Sequence, residues 1–326
     1  MYDASLPQVF CTEKLHQEAL DFLEGKVILT NRFNGRLDPA EDLEDHIGDS
    51  EGLINIGYTI DQAFLKRAPR LRVVSNISVG YNNLNIPDLK KRGVIATHTP
   101  GVMNESVAEL IIGHMIAASR RSMELDRAVR RGEWTNDTFL SWMGMDVTRA
   151  KLGIIGCGRI GLTLARKVMR GFDMQVSYYN INRNEQAERE LGMRYEEKDE
   201  LLKTADFVVL LIPLIPSTRH MFGKKEFALM KKTSVFINAA RGPLVNEPDL
   251  IEALKTSQIR AAGLDVFEQE PTNPFNELLE LENTVLTPHI GSSTFLTRNK
   301  MIMLACKEMV AALCGGEPEC IVPELR

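Results

Sequence analysis

The chain has 326 residues, 44% apolar and 25% charged, which suits two domains of roughly 100 to 200 residues each and an ordinary globular composition. A net charge of −5 and a pI near 5.8 give no basic surface for nucleic acid or anionic lipid, so a polyanion partner is not expected. Five cysteines, Cys11, Cys157, Cys306, Cys314 and Cys320, form no CxxC pair and leave an odd thiol, which argues against a secreted disulfide framework.

Short β-rich runs at 9–11, 27–29, 52–54, 71–75 and 94–97 alternate with helix-like segments through the first hundred residues. That alternation predicts parallel strands joined by crossover helices. Residues 100–131 read as one long helical stretch, and strands follow at 152–155, 176–179, 207–212, 235–237, 262–266 and 284–286. The predicted fold class is α/β, with two doubly wound parallel-sheet domains. Residues 293–313 read as a helix with no strand after it, expected to return to the first domain. The expected division is 1–100 plus 291–326 for one domain and 101–290 for the other, with an interdomain cleft, a usual place for a small-molecule site. Residues 1–5 lack the basic-then-apolar pattern of a leader, and Glu324-Leu325-Arg326 carry no receptor-read address. The apolar segment 107–118 is interrupted by Glu109 and His114 and is too short for a bilayer. A cytoplasmic location with no membrane partner is expected.

Gly156-Cys157-Gly158-Arg159-Ile160-Gly161 follows the predicted strand 152–155 directly and opens a helical stretch. In that context the spacing points to a dinucleotide. The first glycine permits the turn, the second lets the backbone approach a pyrophosphate, and the third lets helix and strand pack closely. Amides at the helix start favour the phosphates. Enzymes that use NAD carry a carboxylate about 20 residues onward to hold the ribose 2′-hydroxyl, whereas this strand ends Tyr178-Tyr179-Asn180-Ile181-Asn182-Arg183. A neutral Asn180 does not repel a 2′-phosphate and Arg183 can pair with one, so NADP(H) is favoured over NAD(H). The alternative is that Asn180 bonds the 2′-hydroxyl and Arg183 is solvated.

Three strand-end segments carry residue types suited to ketone reduction: Asn238-Ala239-Ala240-Arg241-Gly242, Asp265-Val266-Phe267-Glu268-Gln269-Glu270-Pro271, and Thr287-Pro288-His289-Ile290-Gly291-Ser292. Hydride addition leaves negative charge on oxygen, which needs an acid within hydrogen-bond reach. His289 fits, because imidazole titrates near neutrality and Glu270 would favour its protonated form and fix the ring. Arg241 fits a substrate carboxylate and the charge developing beside it. Taken singly, each reads as an ordinary loop histidine, surface acid or helix-start cation. Their joint placement behind a dinucleotide turn is what points to chemistry.

In order and spacing, residues 152–161, residues 230–254 with Asn238-Ala239-Ala240-Arg241-Gly242-Pro243, residues 263–271 and Pro288-His289-Ile290-Gly291-Ser292 resemble the D-isomer-specific 2-hydroxyacid dehydrogenase family. The resemblance covers nearly the whole chain. It implies a Rossmann-type cofactor domain and a flavodoxin-like substrate domain, with Arg241 as carboxylate binder, His289 as acid/base and Glu270 tuning His289. It further implies that Asp265 holds the nicotinamide carboxamide, and that Arg159 and Ile160 join Gly156, Gly158 and Gly161 on the pyrophosphate. Pro213 and Thr218 would lie on the adenosine side and Ser292 beside the nicotinamide. Ser78-Val79-Gly80-Tyr81 resembles the loop whose amides, at Val79 and Gly80, receive the substrate carboxylate.

Gly132-Glu133-Trp134, Trp142-Met143-Gly144, the Asn180 ending and the short C-terminus resemble most the glyoxylate/hydroxypyruvate reductases and the related 2-ketogluconate reductases. The implied reaction is hydride transfer from a nicotinamide cofactor to a small 2-keto acid, giving a D-2-hydroxy acid in a pocket shaped by Trp142, Met143 and first-domain loops. Long phosphoglycerate dehydrogenases carry an added regulatory domain, and formate dehydrogenases a glutamine where Glu270 stands, which disfavours both. The alternative is a nucleotide-sensing, corepressor-like interaction protein of the same fold. Segment 100–131 resembles the family's dimerisation element and so implies a homodimer.

Overall fold

The computed structural model describes residues 5–33, 36–37, 43 and 47–326; of the leader-free start expected at 1–5, residues 1–4 lie outside the described residues. Two compact units form, residues 1–102 with 294–326 and residues 103–293.

In the first unit, β1 (Gln8–Cys11) and β2 (Ile28–Leu29) precede a separate antiparallel pair, β3 (Arg32–Phe33) with β4 (Arg36–Leu37), which the sequence pattern did not signal. Then come β5 (Gly52–Asn55), β6 (Val73–Asn76) and β7 (Ile95–Thr97), and the sheet order β2-β1-β5-β6-β7 is parallel throughout. Counted along this sheet alone the order is 2-1-3-4-5, the flavodoxin-like winding. Successive side chains of a strand face opposite ways. Phe10, Leu53, Val74 and Ala96 therefore share one face with Phe64, Leu65 and Leu89 from helices Gln62–Arg67 and Ile86–Arg92. Helix Phe295–Leu313 packs on β5, β6 and β7 with Met301, Ile302, Ala305 and Met309 buried, and the Ser75 hydroxyl donates to the Ala305 carbonyl at 2.8 Å.

The second unit contains β8 (Lys151–Ile155), β9 (Gln175–Tyr179), β10 (Arg194–Tyr195), β11 (Phe207–Leu210), β12 (Val235–Asn238), β13 (Ala261–Leu264) and β14 (Thr284–Leu286). Their parallel order, β10-β9-β8-β11-β12-β13-β14, is the Rossmann winding 3-2-1-4-5-6 with a seventh strand added. Phe207, Val209, Val235 and Ile237 meet helices Asn104–Ser119 and Arg159–Phe172 on one face, while Val208, Leu210 and Phe236 meet Leu201, Phe227 and Leu250 on the other. A central parallel strand so covered is apolar at every position.

Register decides where the loops emerge. Tyr179, Ile155, Leu210, Asn238, Leu264 and Leu286 stand side by side across six strands. The segments beginning at Gly156, Asn180, Leu211, Ala239, Asp265 and Thr287 consequently leave one edge of the sheet together. Two expected strands overran this edge: 207–212 stops at Leu210 and 262–266 at Leu264, freeing the residues beyond for loops.

The single helix expected over 100–131 is two helices, Asn104–Ser119 and Ser122–Arg130. Arg121 breaks them, with φ at 55° in the left-handed region that side chains rarely adopt. Its guanidinium offsets the strain by binding Glu124 at 2.8 and 2.5 Å and the Ser141 carbonyl at 2.7 Å. No helix among the described residues is long and apolar enough to cross a membrane, and all five cysteines are free.

Candidate active site

At Gly156 φ is +94°, and a Cβ there would stand 2.6 Å from Ile212 Cγ2 and from the Leu211 carbonyl carbon, so only glycine permits the turn. Gly158 is the N-cap of helix Arg159–Phe172, and a Cβ on it would meet nothing within 4 Å. The open approach and the first-turn amides of Arg159, Ile160 and Gly161, which have no carbonyl of their own helix to bond, fit a pyrophosphate. These residues suit a dinucleotide.

Asn180 follows β9 directly, beside this turn. Its Oδ1 accepts the Cys157 amide at 2.7 Å and its Nδ2 donates to the Cys157 carbonyl at 3.3 Å, so the side chain braces the glycine turn. Arg183 is paired rather than simply solvated, donating from Nε and Nη2 to the two carboxylate oxygens of Glu188, both at 2.6 Å. Neither engagement was legible in the motif. Pro213 and Thr218 close one loop: the Thr218 hydroxyl donates to the Pro213 carbonyl at 2.8 Å and accepts the Ile215 amide at 2.9 Å.

Arg241, Glu270 and His289 belong to three loops from the same sheet edge. Gly242 lets the first two loops touch, because a Cβ there would lie 1.7 Å from the Phe267 carbonyl oxygen. Asn238, not singled out from the sequence, bridges the Arg241 turn by donating to the Arg241 carbonyl at 2.9 Å and accepting the Ala240 amide at 3.1 Å. The Arg241 guanidinium donates to the Ala240 carbonyl at 2.6 Å. Burial lowers its pKa, against the opposing pull of the Glu270 charge. It has no ion-pair partner within 4.0 Å among the described residues, which leaves a desolvated cation for an anionic ligand.

His289 Nδ1 lies 2.7 Å from Glu270 Oε2, and Glu270 Oε1 accepts the Phe267 amide at 3.0 Å. Burial alone would raise the Glu270 pKa. The His289 and Phe267 hydrogen bonds and the charges of His289 and Arg241 outweigh it and hold the carboxyl below its usual value. With Nδ1 turned to the carboxylate, Nε2 is the nitrogen left to face a substrate.

His289 itself has φ at 56°. Its turn is clamped by Asp265, which is 2% exposed: Oδ1 accepts the Thr287 hydroxyl at 2.6 Å and the Ile290 amide at 2.8 Å, and Oδ2 accepts the Gly291 amide at 2.8 Å. The Thr287 hydroxyl gives its one proton to Asp265, so at 3.0 Å it accepts from Nε2 of buried His114. Among the described residues His114 Nδ1 has no partner, and burial lowers the pKa of this imidazole against the raising charge of Asp265. Ser292 is half-buried on the following turn, and the Ser106 hydroxyl bonds the Gly291 carbonyl at 2.7 Å.

In the first unit, Val79 and Gly80 follow β6 with both carbonyls held inward. Val79 bonds His98 Nδ1 at 2.9 Å, and Gly80 accepts the Ser78 hydroxyl at 2.5 Å. Neither amide has an acceptor among the described residues. Met143 departs from expectation. It lines a cavity of about 410 Å³ with Ser257, Ala261 and Thr284, at the starts of β13 and β14. Within its own unit it therefore stands at the opposite sheet edge from Arg241 and His289.

The family described as D-isomer specific 2-hydroxyacid dehydrogenase, NAD binding domain, matches residues 112–291. The chain belongs to the D-isomer-specific 2-hydroxyacid dehydrogenase family. Glyoxylate/hydroxypyruvate reductase B of Escherichia fergusonii is 41% identical over 320 residues, covering 98% of this chain and 99% of the relative. The enzyme of the same name from Salmonella heidelberg is 40% identical over 319 residues, 98% of each. Among solved structures, the NADPH-dependent glyoxylate/hydroxypyruvate reductase of Sinorhizobium meliloti, in complex with NADP and malonate, aligns with a TM-score of 0.83 at 27% identity over 98% of both chains. The alignment spans both units of the family fold.

Proposed function

We propose that this dehydrogenase is a glyoxylate/hydroxypyruvate reductase that prefers NADPH. The observation that carries the reading is the common register of the strand ends, from which the glycine turn, Arg241 and the His289–Glu270 pair all emerge. A bound reduced nicotinamide would supply the hydride. Arg241 then binds the keto-acid carboxylate in two-pronged fashion and stabilises the charge growing on the neighbouring oxygen. His289, its ring fixed through Nδ1 by Glu270, delivers the proton from Nε2 to that oxygen. The unpaired amides of Val79 and Gly80 are proposed carboxylate contacts. The turn residues Gly156 to Gly161, with Pro213, Thr218, Asp265 and Ser292, are proposed cofactor contacts.

On this reading residues 101–290 are the dinucleotide-binding domain and 1–100 with 291–326 the substrate domain. Preference for NADPH is supported by the missing acid at Asn180 and by the NADPH dependence of the Sinorhizobium relative. A homodimer is supported by exposed Met123, Val129, Trp134, Leu140 and Met143, a run of apolar side chains that water would otherwise cover. Five unpaired thiols favour the cytosol. The corepressor-like alternative is not favoured, because the curated relatives reported above are reductases; the shared strand edge of Arg241, Glu270 and His289 also supports an enzyme. The test is cofactor oxidation with glyoxylate and with hydroxypyruvate, each with NADPH and NADH. Turnover of both acids, faster with NADPH, is expected; no turnover of either acid sinks the proposal.

A further inference from the structure

We propose that Glu188 is a further specificity-determining residue, which neutralises Arg183 and so tempers the preference for NADPH over NADH. This rests on the cofactor reading above. Helix Glu185–Leu191 carries Glu188 back to the end of β9, with Asn184 capping the helix by accepting the Ala187 amide at 3.0 Å. The Tyr178 hydroxyl donates to Glu188 Oε1 at 2.9 Å while accepting the Asn184 amide at 2.7 Å. On the other side Arg183 makes its two 2.6 Å bonds and lies over the Tyr195 ring, 5.6 Å from the centroid. The carboxylate is thus fixed beside the very cation that the 2′-phosphate would use. Its side chain is 16% exposed against 56% for Arg183. The bonds from Arg183, then that from Tyr178, hold its carboxyl at about 2 despite partial burial, so it stays charged throughout any assay.

A guanidinium has five N–H donors in a planar fork. Glu188 occupies the edge formed by Nε and Nη2, and Nη1 has no partner among the described residues. The outer edge remains for a phosphate, but the pair presenting it has no net charge. Across the guanidinium, at about 8 Å, one carboxylate charge facing a doubly charged phosphate weakens binding about fivefold in low salt, and less as salt screens it. NADH has only a 2′-hydroxyl there and escapes the penalty.

The experiment measures kcat/KM for NADPH and NADH in the parent, Glu188→Gln and Arg183→Ala, at low and high ionic strength. Glu188→Gln is expected to raise the NADPH/NADH ratio about fivefold at low salt, through the NADPH arm alone, with the gain shrinking at high salt. An unchanged or lowered ratio, or a gain indifferent to salt, overturns the proposal. Arg183→Ala separates the two readings. If it lowers the ratio while Glu188→Gln leaves it flat, Glu188 has no such role and the cofactor reading survives. If Glu188→Gln raises the ratio in a parent that favours NADH, the tempering role stands and the NADPH reading falls.

Discussion

His289 has two ring nitrogens, one bonded to Glu270 and one without a partner among the described residues, and that division predicts what each loss does. His289→Ala removes the proposed proton donor without touching the glycine turn, so kcat should fall about 10² to 10⁴-fold. NADPH binding, followed by fluorescence titration, should stay near the parent value. Near-normal turnover would end the acid/base assignment. Glu270→Gln keeps the shape but withdraws the charge supporting a protonated imidazole. The basic limb of the pH profile for keto-acid reduction should then move toward acid. Stability gives an independent check. A carboxyl whose folded pKa is lowered stabilises the fold above its unfolded value, and the contribution fades as pH drops through the folded one. The stability difference between parent and Glu270→Gln should therefore narrow below about pH 4. A pH profile identical to the parent's would leave Glu270 without its role.

Between residues and fold stand the strand-end turns, where the sequence was legible to different depths. Motif spacing sufficed to put Gly156, Arg241, Glu270 and His289 on strand-end turns, because the end of the apolar run before each turn is visible in the pattern. The partners were hidden. Asp265 was read for its resemblance, yet its two oxygens accept Thr287, Ile290 and Gly291, and Thr287 is in turn bonded by His114 from a helix 173 positions away in sequence. No periodicity announces a bond across that separation. The break at Arg121 was equally silent, since neither Gly nor Pro marks it. The clamp on the His289 turn is testable. Asp265→Asn places an amide N–H against a backbone donor, and losing a hydrogen bond to a buried charge costs about 1.5 to 3 kcal/mol. Thermal unfolding should register that loss, and kcat should fall with it as His289 leaves its left-handed conformation. A variant with parent-like melting and turnover would show that Asp265 does not hold this turn.

At the scale of the whole molecule, both sheets were foreseeable because parallel strands buried on two faces read as apolar runs, whereas an assembly partner must be read from what folding leaves uncovered. Ile111, in the segment that resembled a dimerisation element, is fully buried within its own unit, and Ile112 packs against the same core. The uncovered apolar side chains begin in the same segment, at Ile116, Met123 and Val129, and continue past it at Trp134, Leu140 and Met143. We therefore expect a second copy to cover this stretch. Burying one Leu or Met side chain contributes about 1.5 to 3 kcal/mol, and 1.4 kcal/mol is a decade in affinity. Leu140→Asp with Met143→Asp should consequently weaken the dimer by at least about two decades. Both side chains are exposed in the single chain, so folding should persist. Sedimentation velocity at micromolar concentration should give a dimer for the parent and a monomer for the double variant. A monomeric parent, or a double variant that remains dimeric, would show that this surface is not where two copies meet.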